Sequence, residues 1–110
     1  MSRVAFVNGS YCELSESLIN VEDRGYQFAD GVYEVFTVVN TKIVDFKPHI
    51  DRLYRSLSEL NIKSPIVKSA YLLHIKNIIK KNLIINGTVY LQITRGVAPR
   101  DFKYKKNMKS

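Results

Sequence analysis

Two changes of hydrophobic period limit what this chain can fold into. Up to Phe46 the apolar residues lie in short β-branched and aromatic runs; from Lys47-Pro48 they recur at helical spacing, and from Thr88 strict alternation returns. The implied order is four strands, two helices and a final strand. Strands and helices grouped in runs, rather than alternating, favour an antiparallel sheet with helices on one face. The expected architecture is α+β: a small two-layer sandwich, an antiparallel sheet of about five to six strands with two helices packed on one face.

Local chemistry supports each element. Val4-Ala5-Phe6-Val7, the pair Asn8-Gly9 and Ser10 to Glu13 read as a hairpin, because Asn-Gly suits a tight type I′ turn. Ser17 to Asn20 is a candidate for a further short extended piece. The stretch RGYQFADGVYE, Arg24 to Glu34, turns through Asp30-Gly31 into a strand over Val32 to Val39. Asn40-Thr41 returns the chain into a partner strand, Lys42 to Phe46. In the first helix Ile50, Leu53, Tyr54, Leu57 and Leu60 share a face, with His49, Arg52, Ser56 and Glu59 opposite. Ser64-Pro65 suits the start of a second helix with Tyr71, Leu72, Ile75, Ile78, Ile79 and Leu83 as its stripe. Val89, Leu91 and Ile93 then alternate with Tyr90 and Gln92, the pattern of a half-buried strand.

At 110 residues and 45% hydrophobic, the chain has the material for one small core. It contains no membrane-length apolar stretch and no secretory layout at its N-terminus. A single cysteine, Cys12, forms no internal disulfide, so the expected setting is reduced and cytoplasmic. The net charge of +7 is uneven: four lysines lie in the last eight residues, leaving about +3 on the rest. Nucleic-acid binding through that tail is the minor reading. The tail, 103–110, is expected to be disordered, and 1–102 to form the folded domain.

Several polar residues are candidates for chemistry, each with an ordinary alternative. Tyr33 is either a packed strand tyrosine or a hydroxyl over a pocket rim. Glu34 is a buried, hydrogen-bonded acid or a solvated one. Arg52 is solvated surface or a five-donor fork for an anion. Arg95 and Arg100 bracket Gly96-Val97-Ala98-Pro99, a loop that brings two guanidiniums near each other, in solvent or around a ligand. His49 and His74 have no evident acid or nucleophile partner and read as structural or surface. No phosphate-binding glycine loop, HExxH or GxSxG occurs.

Three separated motifs, EDRGYQFADGVYEVF (22–36), HIDRLYRSLSELNI (49–62) and VYLQITRGVAPRDF (89–102), carry a resemblance. Together they resemble the class IV, pyridoxal-phosphate-dependent aminotransferases, with the D-amino acid (D-alanine) branch most alike and branched-chain aminotransferases and aminodeoxychorismate lyase as cousins. The resemblance implies the small N-terminal domain of a homodimeric enzyme that moves an amino group from an amino acid to a 2-oxo acid. It implies that Arg52 grips the cofactor phosphate, and that Tyr33 and Arg100 bind the substrate carboxylate, Arg100 often across the dimer interface. Charge-assisted, bidentate hydrogen bonds suit both anions. Phe102 stands where the D-amino acid branch usually carries a histidine.

The resemblance also implies what these residues leave out. The family's Schiff-base lysine and the acid on the cofactor's ring nitrogen belong to a C-terminal domain, and none of the eleven lysines here lies in a matching motif. Transamination needs that lysine to hold the cofactor and to move the substrate's α-proton. The expectation is therefore a truncated or split enzyme: no catalytic residue, pyridoxal phosphate held weakly if at all, and no turnover without a complementary chain. The other reading is a non-catalytic, homodimeric interaction module.

Overall fold

The computed structural model describes residues 2–110. Strand β1 (Val4–Val7) pairs antiparallel with β2 (Ser10–Glu13), Val7 opposite Ser10. The two loop residues Asn8 and Gly9 have φ of 49° and 93°, the left-handed values a type I′ turn needs at both positions. A 3-10 turn, Leu14–Glu16, follows, and residues 17–20 form no strand.

The segment RGYQF is a short helix, α1 (Arg24–Phe28), and not simply part of a turn into the strand. Five residues are too few to display a helical period, so the signal lies in the cap: the Asp23 carboxylate accepts from the Gly25 N–H at 2.8 Å. Ala29 closes the helix in the left-handed conformation, φ 54°. Strand β3 (Gly31–Val39) then lies between β4 (Lys42–Ile43) and β5 (Gly87–Thr94), both antiparallel to it.

The β3–β4 loop, Asn40-Thr41, again has positive φ at both residues, 51° and 67°. A β-branched residue rarely adopts that conformation, and here backbone bonds hold it. Thr41 N–H donates to Ile85 O at 2.8 Å and Asn40 N–H to the Asn86 side chain at 3.0 Å.

Helix α2 (Phe46–Leu60) covers one face of β3 with Ile50, Leu53 and Leu57. It begins at Phe46, so β4 is shorter than the periodicity implied. Helix α3 (Lys68–Lys81) presents Tyr71, Ile75 and Ile79, and Leu83 lies beyond its end, largely exposed. Phe36, Val38 and Leu53 are sealed from solvent at the centre of the core.

The fold is α+β, with the helices on one side of the main sheet. The five strands are divided between two sheets, however, because the β1–β2 hairpin docks on α3 and not on a sheet edge. The Asn82 side chain bonds the Val4 N–H and C=O at 2.8 and 2.9 Å, taking the place of a neighbouring strand. Phe6 packs on His74 with ring centres 4.2 Å apart, and the Tyr11 hydroxyl lies 2.7 Å from His74 Nδ1.

Candidate functional site

Strand β3 alternates without error: Val32, Glu34, Phe36 and Val38 face the helices, and Tyr33, Val35, Thr37 and Val39 face away. The helix side is the core side, so Glu34 is a carboxylate built into an apolar face, 2% exposed. An unpaired charge there would be strongly unfavourable. Helix α2 supplies the compensation. Arg52 donates from Nε to Glu34 Oε2 and from Nη2 to Oε1, each at 2.8 Å, and His49 Nδ1 lies 2.7 Å from Oε1.

The Arg52 hydrogen bonds outweigh burial, with His49 adding to them, and hold the Glu34 carboxyl below its ordinary range. Arg52 keeps more than half of its side chain in solvent, and its Nη1 has no partner among the described residues. Around it Pro48, His49, Asp51 and Arg55 line a cavity of about 490 Å³. Two guanidiniums and an imidazole at one open cavity form a donor set suited to a phosphate group. The ion pairs that lysines make among the described residues both end on Asp51, from Lys47 at 2.7 Å and Lys68 at 3.7 Å.

His49, read from sequence as having no acid partner, has one in Glu34. Fifteen residues separate them, so no local pattern could have joined the two.

Tyr33 lies on the opposite face of β3, largely exposed and stacked on Tyr90 with centroids 5.7 Å apart. Its hydroxyl makes no hydrogen bond among the described residues, which leaves it available to a ligand.

Arg95 and Arg100 behave differently from one another. Arg95 is buried: its Nε donates to Asp30 Oδ2 at 2.8 Å, and its Nη groups donate to Leu60 O at 2.8 Å and Asn61 O at 3.2 Å. It thus closes the C-terminal end of α2, where a cation is electrostatically favoured. Arg24, also buried, donates from Nε to the same Asp30 oxygen at 2.7 Å and reaches the carbonyls of Asp101 and Phe102. Burial pushes the Asp30 carboxyl up, but the hydrogen bonds and charges of Arg95 and Arg24 together outweigh it and hold it below its ordinary value.

Arg100 is exposed, over the rings of Phe28 and Phe102. Residues 103–110 form no helix or strand, but Tyr104 lies with its ring centre 3.5 Å from Arg95 Cζ. Among the described residues no hydrogen bond or ion pair joins Tyr33, Arg52 and Arg100 into one cluster. No group of three His, Cys, Asp or Glu side chains there could hold a metal, and no helix is long and apolar enough to cross a membrane.

Residues 31–109 match the family model for amino-transferase class IV. The chain is 42% identical over 91 residues to a D-alanine aminotransferase of Listeria monocytogenes serotype 4b, covering 83% of this chain and 32% of that one. It is 41% identical over 97 residues to the D-alanine aminotransferase of Bacillus licheniformis, covering 88% and 34%. The chain therefore spans about a third of the length of the curated relatives it matches.

The fold resembles that of part of the branched-chain amino acid aminotransferase of Escherichia coli, with a TM-score of 0.80 at 15% identity over 98% of this chain and 37% of that one. A second likeness of fold is to a hypothetical aminotransferase from Mycobacterium tuberculosis in its PLP-bound form. There the TM-score is 0.72 at 18% identity, covering 86% of this chain and 34% of that one.

Proposed function

Because this chain belongs to the amino-transferase class IV family, we propose that its residues form the phosphate- and carboxylate-gripping part of a pyridoxal-phosphate-dependent D-amino acid transaminase. The observation that carries this reading is the Arg52 guanidinium, locked on one edge by the buried Glu34 and open on Nη1 beside Arg55 and His49. Arg52 holds the cofactor phosphate, and Glu34 keeps the guanidinium from rotating away. Tyr33 and Arg100 bind the carboxylate of an amino acid or 2-oxo acid. Bound pyridoxal phosphate supplies the electron sink that labilises the α-proton of an amino acid.

Sequence outside these 110 residues supplies the amine that holds the cofactor and moves that proton, from a second domain or a complementary chain. On this reading residues 1–102 are the small domain of the enzyme and 103–110 a basic tail, with Tyr104 resting on Arg95. Alone, these residues bind without turning over. The exposed sheet face of Tyr33, Val35, Val39 and Tyr90 favours a homodimer or a covering domain.

The test is an absorbance titration of the chain with pyridoxal phosphate, inorganic phosphate serving as competitor, followed by borohydride trapping and mass mapping. The expected result is saturable binding that phosphate displaces and Arg52→Ala removes, with no single lysine trapped. Turnover of an amino acid, or one lysine labelled stoichiometrically, would overturn the division of labour. Binding indifferent to both phosphate and Arg52 would overturn the site.

A further inference from the structure

Three arginines and three aromatic rings alternate at the end of the main sheet. The Tyr104 ring centre lies 3.5 Å from Arg95 Cζ and 5.9 Å from Arg24 Cζ. Phe28 lies between Arg24, 4.6 Å away, and Arg100, 5.2 Å away. Phe102 closes the series, 5.4 Å from Arg100 and with its ring centre 5.5 Å from that of Phe28.

The three guanidiniums differ in what their N–H edges do. Arg24 and Arg95 engage theirs on Asp30 and on backbone carbonyls. Arg100 makes no hydrogen bond or ion pair among the described residues; its guanidinium carbon lies over the Phe28 and Phe102 rings instead. That difference has a chemical consequence. A guanidinium positioned by hydrogen bonds has fewer donors left for a ligand, whereas one held by its π face keeps all five, in the plane that a bidentate carboxylate needs.

We propose that Phe28 is the positioning residue for Arg100: its ring holds the guanidinium by the face, so that the whole N–H edge is presented to a carboxylate. The proposal rests on the reading of Arg100 as a carboxylate-binding residue. Phe28 and not Phe102 is the anchor, because Phe28 is half-buried on α1 while Phe102 is 77% exposed. Arg24, which Asp30 fixes in turn, also packs on the Phe28 ring, its Cζ 4.6 Å from the ring centre. The arrangement also restrains the backbone that carries Arg100. Arg24 N–H donates to Gly96 O at 2.8 Å on one side of the loop, and the Arg24 side chain reaches the carbonyls of residues 101 and 102 on the other.

The experiment is nuclear magnetic resonance on the isotopically labelled 110-residue chain, with sodium acetate as the probe. In the wild-type chain, nuclear Overhauser contacts between the Phe28 ring and the Arg100 side chain are expected; their absence overturns the proposal without any variant. Phe28→Leu, its fold checked by the amide spectrum, is expected to shift the Arg100 Nε–H signal and weaken acetate binding by about two- to tenfold. Phe28→Tyr, which keeps the ring face, is expected to behave as the wild type. An unchanged Arg100 signal and affinity in Phe28→Leu, or equal loss in Phe28→Tyr, overturns the positioning role. The parent reading is tested separately: if Arg100→Ala leaves the acetate response of the loop amides intact, Arg100 does not bind carboxylates, and the proposal falls with it.

Discussion

The Glu34 carboxylate receives both Nε and Nη2 of Arg52 at 2.8 Å while standing on the core face of the central strand. This pairing ties the sheet to α2 and orients the one Arg52 nitrogen left for a ligand. A residue placed among Val32, Phe36 and Val38 is usually apolar, and Glu34 stays there because its charge is fully engaged.

Glu34→Gln is therefore expected to cost about 1.5–3 kcal/mol, the range for hydrogen bonds to a charged group. The pH dependence has a definite sign. Arg52, and His49 after it, depress the folded-state pKa of Glu34 below its ordinary value of 4.5, so the unfolded chain binds the proton more readily. The stabilisation is present above pH 4.5 and is lost as pH falls through the depressed folded value. Urea denaturation from pH 7 downward checks both points: the wild type should lose stability in acid more steeply than Glu34→Gln. Parallel curves would refute the pairing as a source of stability.

Asp30 carries a heavier duty, since one carboxylate oxygen compensates two buried guanidiniums. Removing the carboxylate by Asp30→Ala leaves both charges without an ionic partner, and a loss of about 3–5 kcal/mol is expected at neutral pH. Chemical denaturation of this variant beside Glu34→Gln gives the comparison. A milder effect for Asp30→Ala would mean that the backbone carbonyls alone satisfy Arg24 and Arg95.

Gly31 is required by proximity. A Cβ at this position would stand 2.7 Å from the Ile93 carbonyl oxygen, a backbone atom that cannot swing aside. Gly31→Ala should destabilise by about 1–3 kcal/mol, the usual range for overpacking. Thermal unfolding decides the matter: a melting temperature equal to the wild type would show that β3 and β5 can separate at this point without strain.

Tyr33→Phe should leave stability within about 0.5 kcal/mol of wild type, as expected for an exposed position whose hydroxyl has no partner. Denaturant titration checks this. A large loss would show that the hydroxyl is structural and would remove the reason to assign it to a substrate carboxylate.

How much of this was legible beforehand differs from element to element. The Asn8-Gly9 hairpin, the apolar stripe of Ile50, Leu53 and Leu57, and the alternation of Val89, Leu91 and Ile93 were all readable, because turn chemistry and periodicity act within a few residues. Helix α1 was not, since a capped single turn has no period. Arg95 looked like a loop arginine because the Asp30, Leu60 and Asn61 oxygens that bury it come from elsewhere in the chain.

The sequence by itself determined the order of elements, the α+β class and the motifs of the family, all of which are properties of neighbouring residues. Tertiary structure alone decided that Glu34 is buried on Arg52 and His49, eighteen and fifteen residues away, and that the strands divide into two sheets. Those outcomes depend on which face of β3 the helix α2 covers and which surface of α3 receives the hairpin. Energies of that kind come from burying and pairing distant groups, and they exist only once the layers have met.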